Sequence, residues 1–196
     1  MSLDLIPPKL RKRFHFEERG HACAILSADF SNEFQDICEC LRAFTLKKSH
    51  IAEPGGSKSK VAKEIDGFLG GRGWAERKFD TKVTVDKKDW ETPTHKVDNF
   101  KNRIGVEVEW NNKDPFYDRD LNNFRLLHQL SVLSVGVIIT RMSELQAEFD
   151  RLGRGKSYGN STTHWSKLIP RVNGGSAGGC PLLLVGLGME CYDESQ

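Results

Sequence analysis

Hydrophobic positions recur with a period of two at Ile104, Val106, Val108 and Trp110, with Glu107 and Glu109 set between them. Successive side chains leave opposite faces of a strand, so residues 104–110 read as a strand with one apolar face and two carboxylates on the other. VGVIIT (135–140) is a continuous run rich in β-branched residues, as expected of a strand covered on both faces. PLLLVGLG (181–188) reads as a last buried strand, and KVTV (82–85) and HACAILSA (21–28) as short ones.

Between these runs the spacing becomes helical. Phe34, Ile37, Cys38, Leu41 and Phe44 predict a helix from Ser31, with Asn32 and Gln35 resembling a capping box. Val61, Ile65, Phe68 and Leu69 mark a shorter helix closing at Gly70-Gly71, where glycine tolerates a left-handed residue. Leu121, Phe124, Leu127, Leu130 and Leu133 give a helix over 120–133, with Leu126 beside them and His128 within it, and Met142, Leu145, Phe149 and Leu152 share a face of another. The stretches EPGGSKSK (53–60), NNKDPFYDRD (111–120) and GRGKSYGNSTTHW (153–165) are polar connections. Alternating strands and helices predict an α/β fold, a central mixed β-sheet flanked by helices in one domain over 1–196, with right-handed crossovers wherever strands run parallel.

Composition narrows the function classes. Hydrophobic residues make up 38% and charged residues 29% of the 196, which argues against disorder, and the net charge is only +2. A nucleic-acid partner therefore needs a local basic surface rather than a global field. Five cysteines leave one unpaired in any disulfide scheme, the N-terminus has no apolar signal core, and no window reaches the roughly 18 apolar residues of a spanning helix. The expected location is a reducing cytoplasm.

The acids of the 104–110 strand have a third companion. Asp98, Glu107 and Glu109 form D-x8-E-x-E, and an antiparallel hairpin would bring all three to one edge of the sheet. Close carboxylates repel one another, so such a group calls for a cation or a shared proton. Oxygen-only ligands suit magnesium, manganese or calcium, and a hard divalent ion can polarise a phosphate, activate a bound water and offset charge on a leaving 3′ oxygen. Composition and spacing alone leave a second reading open, in which both glutamates sit on the wet face of an edge strand.

The segment resembles the active-site hairpin of the PD-(D/E)XK nuclease superfamily, and more narrowly the BglII, BstYI and BamHI group of type II restriction endonucleases. The likeness covers GWAE (73–76), the D-x8-E-x-E run, Trp110-Asn111-Asn112, the following helix, the VGVII strand and the late apolar strand, over residues 60–190. It implies a restriction-endonuclease-like sheet and a Mg2+-dependent nuclease in which Asp98 and Glu107 bind metal and are catalytic. Glu109 is catalytic at the position usually held by lysine in the wider superfamily, able to accept a proton or reach a second ion. The proline common before the first acid is absent, Val97 standing there, and Glu76 resembles an upstream acid of some members.

The same likeness implies DNA-binding residues. Asn111 and Asn112 follow the catalytic strand, where an amide can pair with adenine in the major groove; a plain Asn-Asn turn is the alternative. Arg154, Lys156, Ser157 and Asn160, with Thr162, lie in a segment suited to guanine and phosphate contacts, and Lys58 and Lys60 are candidate phosphate clamps; solvated loops are the alternative for both. A palindromic double-stranded DNA site implies a homodimer, with the 120–133 helix as candidate contact, and a cognate DNA methyltransferase protecting the host. Two rivals remain: a repair or recombination nuclease of the same fold, and a non-catalytic DNA-binding module whose acids are surface residues. Cys38 and Cys40 diverge by about 200° around a helix and are unsuited to a zinc clip, and GGSAGG (174–179) lacks the residues of a P-loop.

Overall fold

The computed structural model describes residues 2–53, 58–92 and 95–195, the side chains of Val83 and Thr92 excepted. In chain order the elements are α1 (Pro8–Arg11), β1 (His15–Arg19), α2 (Ala22–Asp29), α3 (Ser31–Ala43), β2 (Leu46–Lys47), α4 (Lys48–Ala52) and α5 (Lys60–Gly70). There follow β3 (Ala75–Arg77), β4 (Thr81–Val85), β5 (Lys88–Thr92), β6 (Val97–Lys101), β7 (Ile104–Glu109) and α6 (Pro115–Gln129). The chain closes with β8 (Val135–Arg141), α7 (Leu145–Arg151), α8 (Trp165–Asn173), β9 (Leu182–Leu187) and β10 (Tyr192–Asp193).

Six strands form a mixed sheet in the order β1-β9-β8-β7-β6-β3. β7, β8 and β9 run parallel at its centre, and β1, β6 and β3 are antiparallel to their neighbours. All residues of β7, β8 and β9 are buried, because helices cover both faces. One face packs Ile104, Val106, Val108, Val137, Ile139 and Val185 against a core that includes residues of α2, α3 and α5. On the other, Phe100, Ile138 and Leu184 meet Tyr117, Leu121, Phe124 and Leu127 of α6 and Leu168 of α8.

Two paired glycines set how closely α6 approaches. Gly105 of β7 lies opposite Gly136 of β8, and a Cβ at Gly136 would stand 2.4 Å from Phe124 Cδ2 and one at Gly105 3.1 Å from Phe124 Cε1. Their missing side chains form a notch for the Phe124 ring, whose full burial contributes about 1.5–3 kcal/mol. Asp120 precedes Phe124 by one helical turn on the same face, so the notch also delivers a carboxylate to the sheet.

Several pattern-based expectations change. HACAILSA is helix α2: Gly20 and His21 turn the chain at φ 61° and 57°, Cys23 N–H donates to Glu18 Oε2 at 3.0 Å, and Ala22, Cys23 and Leu26 are buried at helical spacing. Ile25 is its one β-branched residue, and alanine and leucine favour helix. The capping box is absent, since α3 has Phe30 at its N-cap, without a side-chain cap bond. Gly71 closes α5 with φ −61°, and the left-handed glycine is Gly73 at 84°. Met142 lies just beyond β8 rather than on α7 and packs with the α6 core. The 120–133 helix begins earlier and ends at Gln129, with Ser131 at φ 57° reversing the chain and Leu130 exposed.

Residues 165–173, for which the pattern assigns no element, form α8. The predicted strand at 82–85 is real but pairs with β5 in a separate hairpin. The five cysteines are buried free thiols. Residues 54–57 of the predicted 53–60 connection lie outside the described residues.

Candidate active site

The β6–β7 hairpin is closed by Asn102 and Arg103, both with positive φ (42° and 69°), the two-residue turn whose twist matches that of paired strands. Its register, Asn99 opposite Val106 and Lys101 opposite Ile104, continues to place Asp98 opposite Glu107. Residues facing one another across an antiparallel pair share a face, and Glu109 lies two residues on, so all three acids point to the α6 side. Asp98 N–H approaches Glu107 Oε2 at 3.4 Å.

β7 is interior, between β6 and β8, which excludes the wet edge-strand reading. Glu107 is 0% and Glu109 1% exposed, so neither glutamate is the surface acid that the non-catalytic reading requires. Burial pushes Glu107 well above the ordinary carboxylate range, aided by Asp120, Asp98 and Glu109. Glu109 is pushed up to about 9, again by burial first and then by Asp120. Asp98 is raised by burial and Asp66, and Asp120 by burial.

Two acids that pattern reading did not select complete the group. Asp120 of α6 is buried; its Oδ1 accepts from Arg119 Nε at 2.7 Å, and its carboxyl lies within hydrogen-bonding reach of Glu109, so its Oδ2 is without a partner unless the two acids share a proton. Its signal lay in the sequence, a carboxylate set in the apolar stripe of Tyr117, Leu121 and Phe124. Asp66 of α5 accepts from Asn99 Nδ2 at 2.6 Å and pairs with Lys58. Lys58 therefore stands beside the acids, while Lys60 pairs with Glu53 away from them. Glu76 is exposed on β3 and paired with Lys96 at 2.6 Å.

The oxygen-only donors fit a hard cation. Glu107 Oε1 is buried without a partner, like Asp120 Oδ2, and both oxygens face unfavourable desolvation unless a proton or ion meets them. As the side chains stand, no three His, Cys, Asp or Glu residues among the described residues form a ready cage. Magnesium does not require one, since it usually keeps several waters and takes one or two carboxylates with substrate phosphate oxygens.

Beyond β7 the chain turns at Asn111, whose φ of 57° is left-handed and whose Oδ1 is buried without a partner. Asn112 Nδ2 donates to Glu109 Oε2 at 2.9 Å. Its backbone N–H donates to Thr163 Oγ1 at 3.0 Å, and Thr163 N–H returns a bond to Asn112 O at 2.8 Å. The 153–164 segment is thus tied to a site carboxylate through one asparagine. Within it Lys156, Ser157 and Asn160 are exposed, and half-buried Arg154 lies over the Tyr158 ring at 5.8 Å. Thr162 Oγ1 accepts from buried Arg141 at 3.2 Å.

A mixed α/β sheet with paired carboxylates on a central antiparallel hairpin defines the restriction-endonuclease-like class. The comparison with known families gives the same class: the family described as restriction endonuclease BglII/BglIII matches residues 14–187, and the chain belongs to it. Its members are site-specific DNA-cleaving nucleases, and this chain is a DNA-binding hydrolase of that kind. No curated protein matches the chain. No helix among the described residues is long and apolar enough to cross a membrane.

Proposed function

We propose that the protein is a Mg2+-dependent type II restriction endonuclease that hydrolyses both strands of a short palindromic duplex site. The observation carrying this reading is the buried Glu107 carboxylate with an unpartnered oxygen, facing Asp98 across the hairpin and flanked by Glu109. Asp98 and Glu107 would hold the ion, which when bound supplies charge for the phosphate and acidity for water. Glu109, whose raised pKa belongs to the protein without a cation, would accept the proton of the attacking water once ionised.

Asn111, Asn112, Arg154, Lys156, Ser157 and Asn160 would contact bases and phosphates, with Lys58 as a phosphate contact beside the acids and Lys60 as an outlying one. Two equivalent scissile bonds suit a two-fold homodimer of one-domain subunits. The outward face of α6, which carries Asp118, Asn122, Arg125 and Gln129, is available for that contact. The enzyme would act in the cytoplasm beside a methyltransferase that protects host DNA. Incubating plasmid DNA with protein and magnesium and sequencing the fragment ends tests the proposal. Discrete ends lost in Glu107→Ala support it, and ends that follow DNA branches or mismatches favour a repair nuclease instead.

A further inference from the structure

Among the described residues, Lys58 and Arg119 are cationic side chains paired with these acids, and the fold holds them differently. Lys58 pairs with Asp66 on the α5 side. Arg119 reaches from α6 into the group itself: Nε and Nη2 each lie 2.7 Å from Asp120 Oδ1, and Nη2 lies 3.5 Å from Glu109 Oε1. Its guanidinium carbon lies over the Phe116 ring, 4.2 Å from the centroid. The Arg119 side chain is 28% exposed, against 2% for Glu109 and 1% for Asp120. The guanidinium therefore stands where the buried carboxylates meet solvent, and a phosphodiester approaching Glu109 from outside meets it.

The chemistry of the reaction calls for such a group. A phosphodiester is itself anionic, its transition state spreads negative charge over the non-bridging oxygens, and the neighbouring side chain Glu109 is an acid that supplies no positive charge. A planar guanidinium donates to two acceptors at once, so Arg119 can keep its bond to Asp120 while turning another N–H to a phosphate oxygen. Asp120 then acts as a positioning residue, holding the guanidinium against the mouth of the site.

We propose that Arg119 is a further catalytic residue, binding one non-bridging oxygen of the scissile phosphate as phosphodiester hydrolysis proceeds. The inference rests on the hydrolytic reading above. In the step it assists, the water oxygen bonds to phosphorus while one water proton passes to Glu109. The P–O3′ bond breaks, its electron pair stays on the 3′ oxygen, and that oxygen takes a proton from solvent, leaving a 5′-phosphate and a 3′-hydroxyl. Arg119 exchanges no proton; it offsets the charge that builds on the oxygen it touches.

The test measures single-turnover cleavage of a duplex carrying the mapped cut site, with saturating protein and magnesium, for wild type, Arg119→Lys, Arg119→Ala, Arg119→Ala/Asp120→Asn and Glu107→Ala. Arg119→Ala is expected to slow cleavage about 10²–10³-fold with DNA affinity little changed, and Arg119→Lys to recover part of the rate. The double variant removes the bare Asp120 charge, and it should remain slow. A second readout uses the two phosphorothioate diastereomers at the scissile position. Magnesium and Arg119 each distinguish the two non-bridging oxygens, so wild type should discriminate between the diastereomers, and Arg119→Ala should change the size of that preference by removing the share due to the oxygen it contacts. Near wild-type cleavage by Arg119→Ala, full recovery in the double variant, or unchanged diastereomer preference overturns the role of Arg119 while Glu107→Ala stays inactive. Cleavage that survives Glu107→Ala instead overturns the hydrolytic reading and this inference with it.

Discussion

The end of β7 and the 153–164 segment lie side by side and are built in opposite ways. At the first, Glu107, Glu109 and Asp120 are buried, and neighbouring groups or close packing hold them. In the second, Lys156, Ser157 and Asn160 are exposed, and half-buried Arg154 rests on an aromatic ring. Chemistry on a phosphate depends on atoms fixed before the substrate arrives, whereas reading a base sequence tolerates side chains that settle on contact. Asn112 joins the two regions, bonded to Glu109 by its side chain and to Thr163 by its backbone.

Glu107→Ala should have the largest effect, lowering cleavage by at least about 10³-fold, the equivalent of about 4 kcal/mol in the barrier. Rates within tenfold of wild type would place the chemistry elsewhere. Asn112→Ala should reduce cleavage about 10–100-fold, because Glu109 loses the hydrogen bond that orients it as proton acceptor, an effect on the scale of losing an orienting partner beside a metal site. It should also narrow the rate gap between cognate and near-cognate sites; an unchanged gap with a lowered rate would show that Asn112 orients Glu109 without linking it to recognition.

Gly136→Ala strikes the packing beneath the acids. The added methyl meets Phe124, so α6 must move, at a cost of about 1–3 kcal/mol in denaturant unfolding. Activity should fall with it, because Asp120 and Arg119 ride on the same helix. A destabilised variant with full activity would separate α6 from the site.

The buried acids also predict a pH dependence for the cation-free protein. Glu109 titrates near 9 when folded and in the ordinary range near 4.5 when unfolded, so between these limits the folded state holds a proton that the unfolded chain has released. The part of the stability that depends on Glu109 is then full below about 4.5 and is lost as pH rises toward 9. The thermal midpoint in chelator should fall from pH 5 to pH 9, magnesium should restore it more at pH 8 than at pH 5, and Glu109→Gln should flatten the curve. Midpoints that ignore both pH and magnesium would argue that the acids bind no cation. The smallest effects belong to the exposed loop: Lys156→Ala should leave stability within about 0.5 kcal/mol and lower the salt slope of DNA binding by about 1.

Much of this site was legible from the sequence, because local pattern carries it. The strands at 104–110 and 135–140 follow from period and β-branching, and D-x8-E-x-E becomes a shared face once the hairpin forms. Tertiary structure decided what pattern leaves open: whether the glutamate face is wet or buried, and which distant residues meet it. HACAILSA suits either a strand or a helix in isolation, and the turn at Gly20-His21 with the Glu18 contact selects the helix. Asp66, Arg119 and Asp120 reach the acids only because α5 and α6 pack on the sheet, α6 seated by a phenylalanine in a notch between two glycines of different strands. Alternation along a strand is a property of neighbouring residues, so sequence determines it; the depth of burial and the convergence of charges depend on contacts between segments far apart in the chain, and only the folded packing sets those.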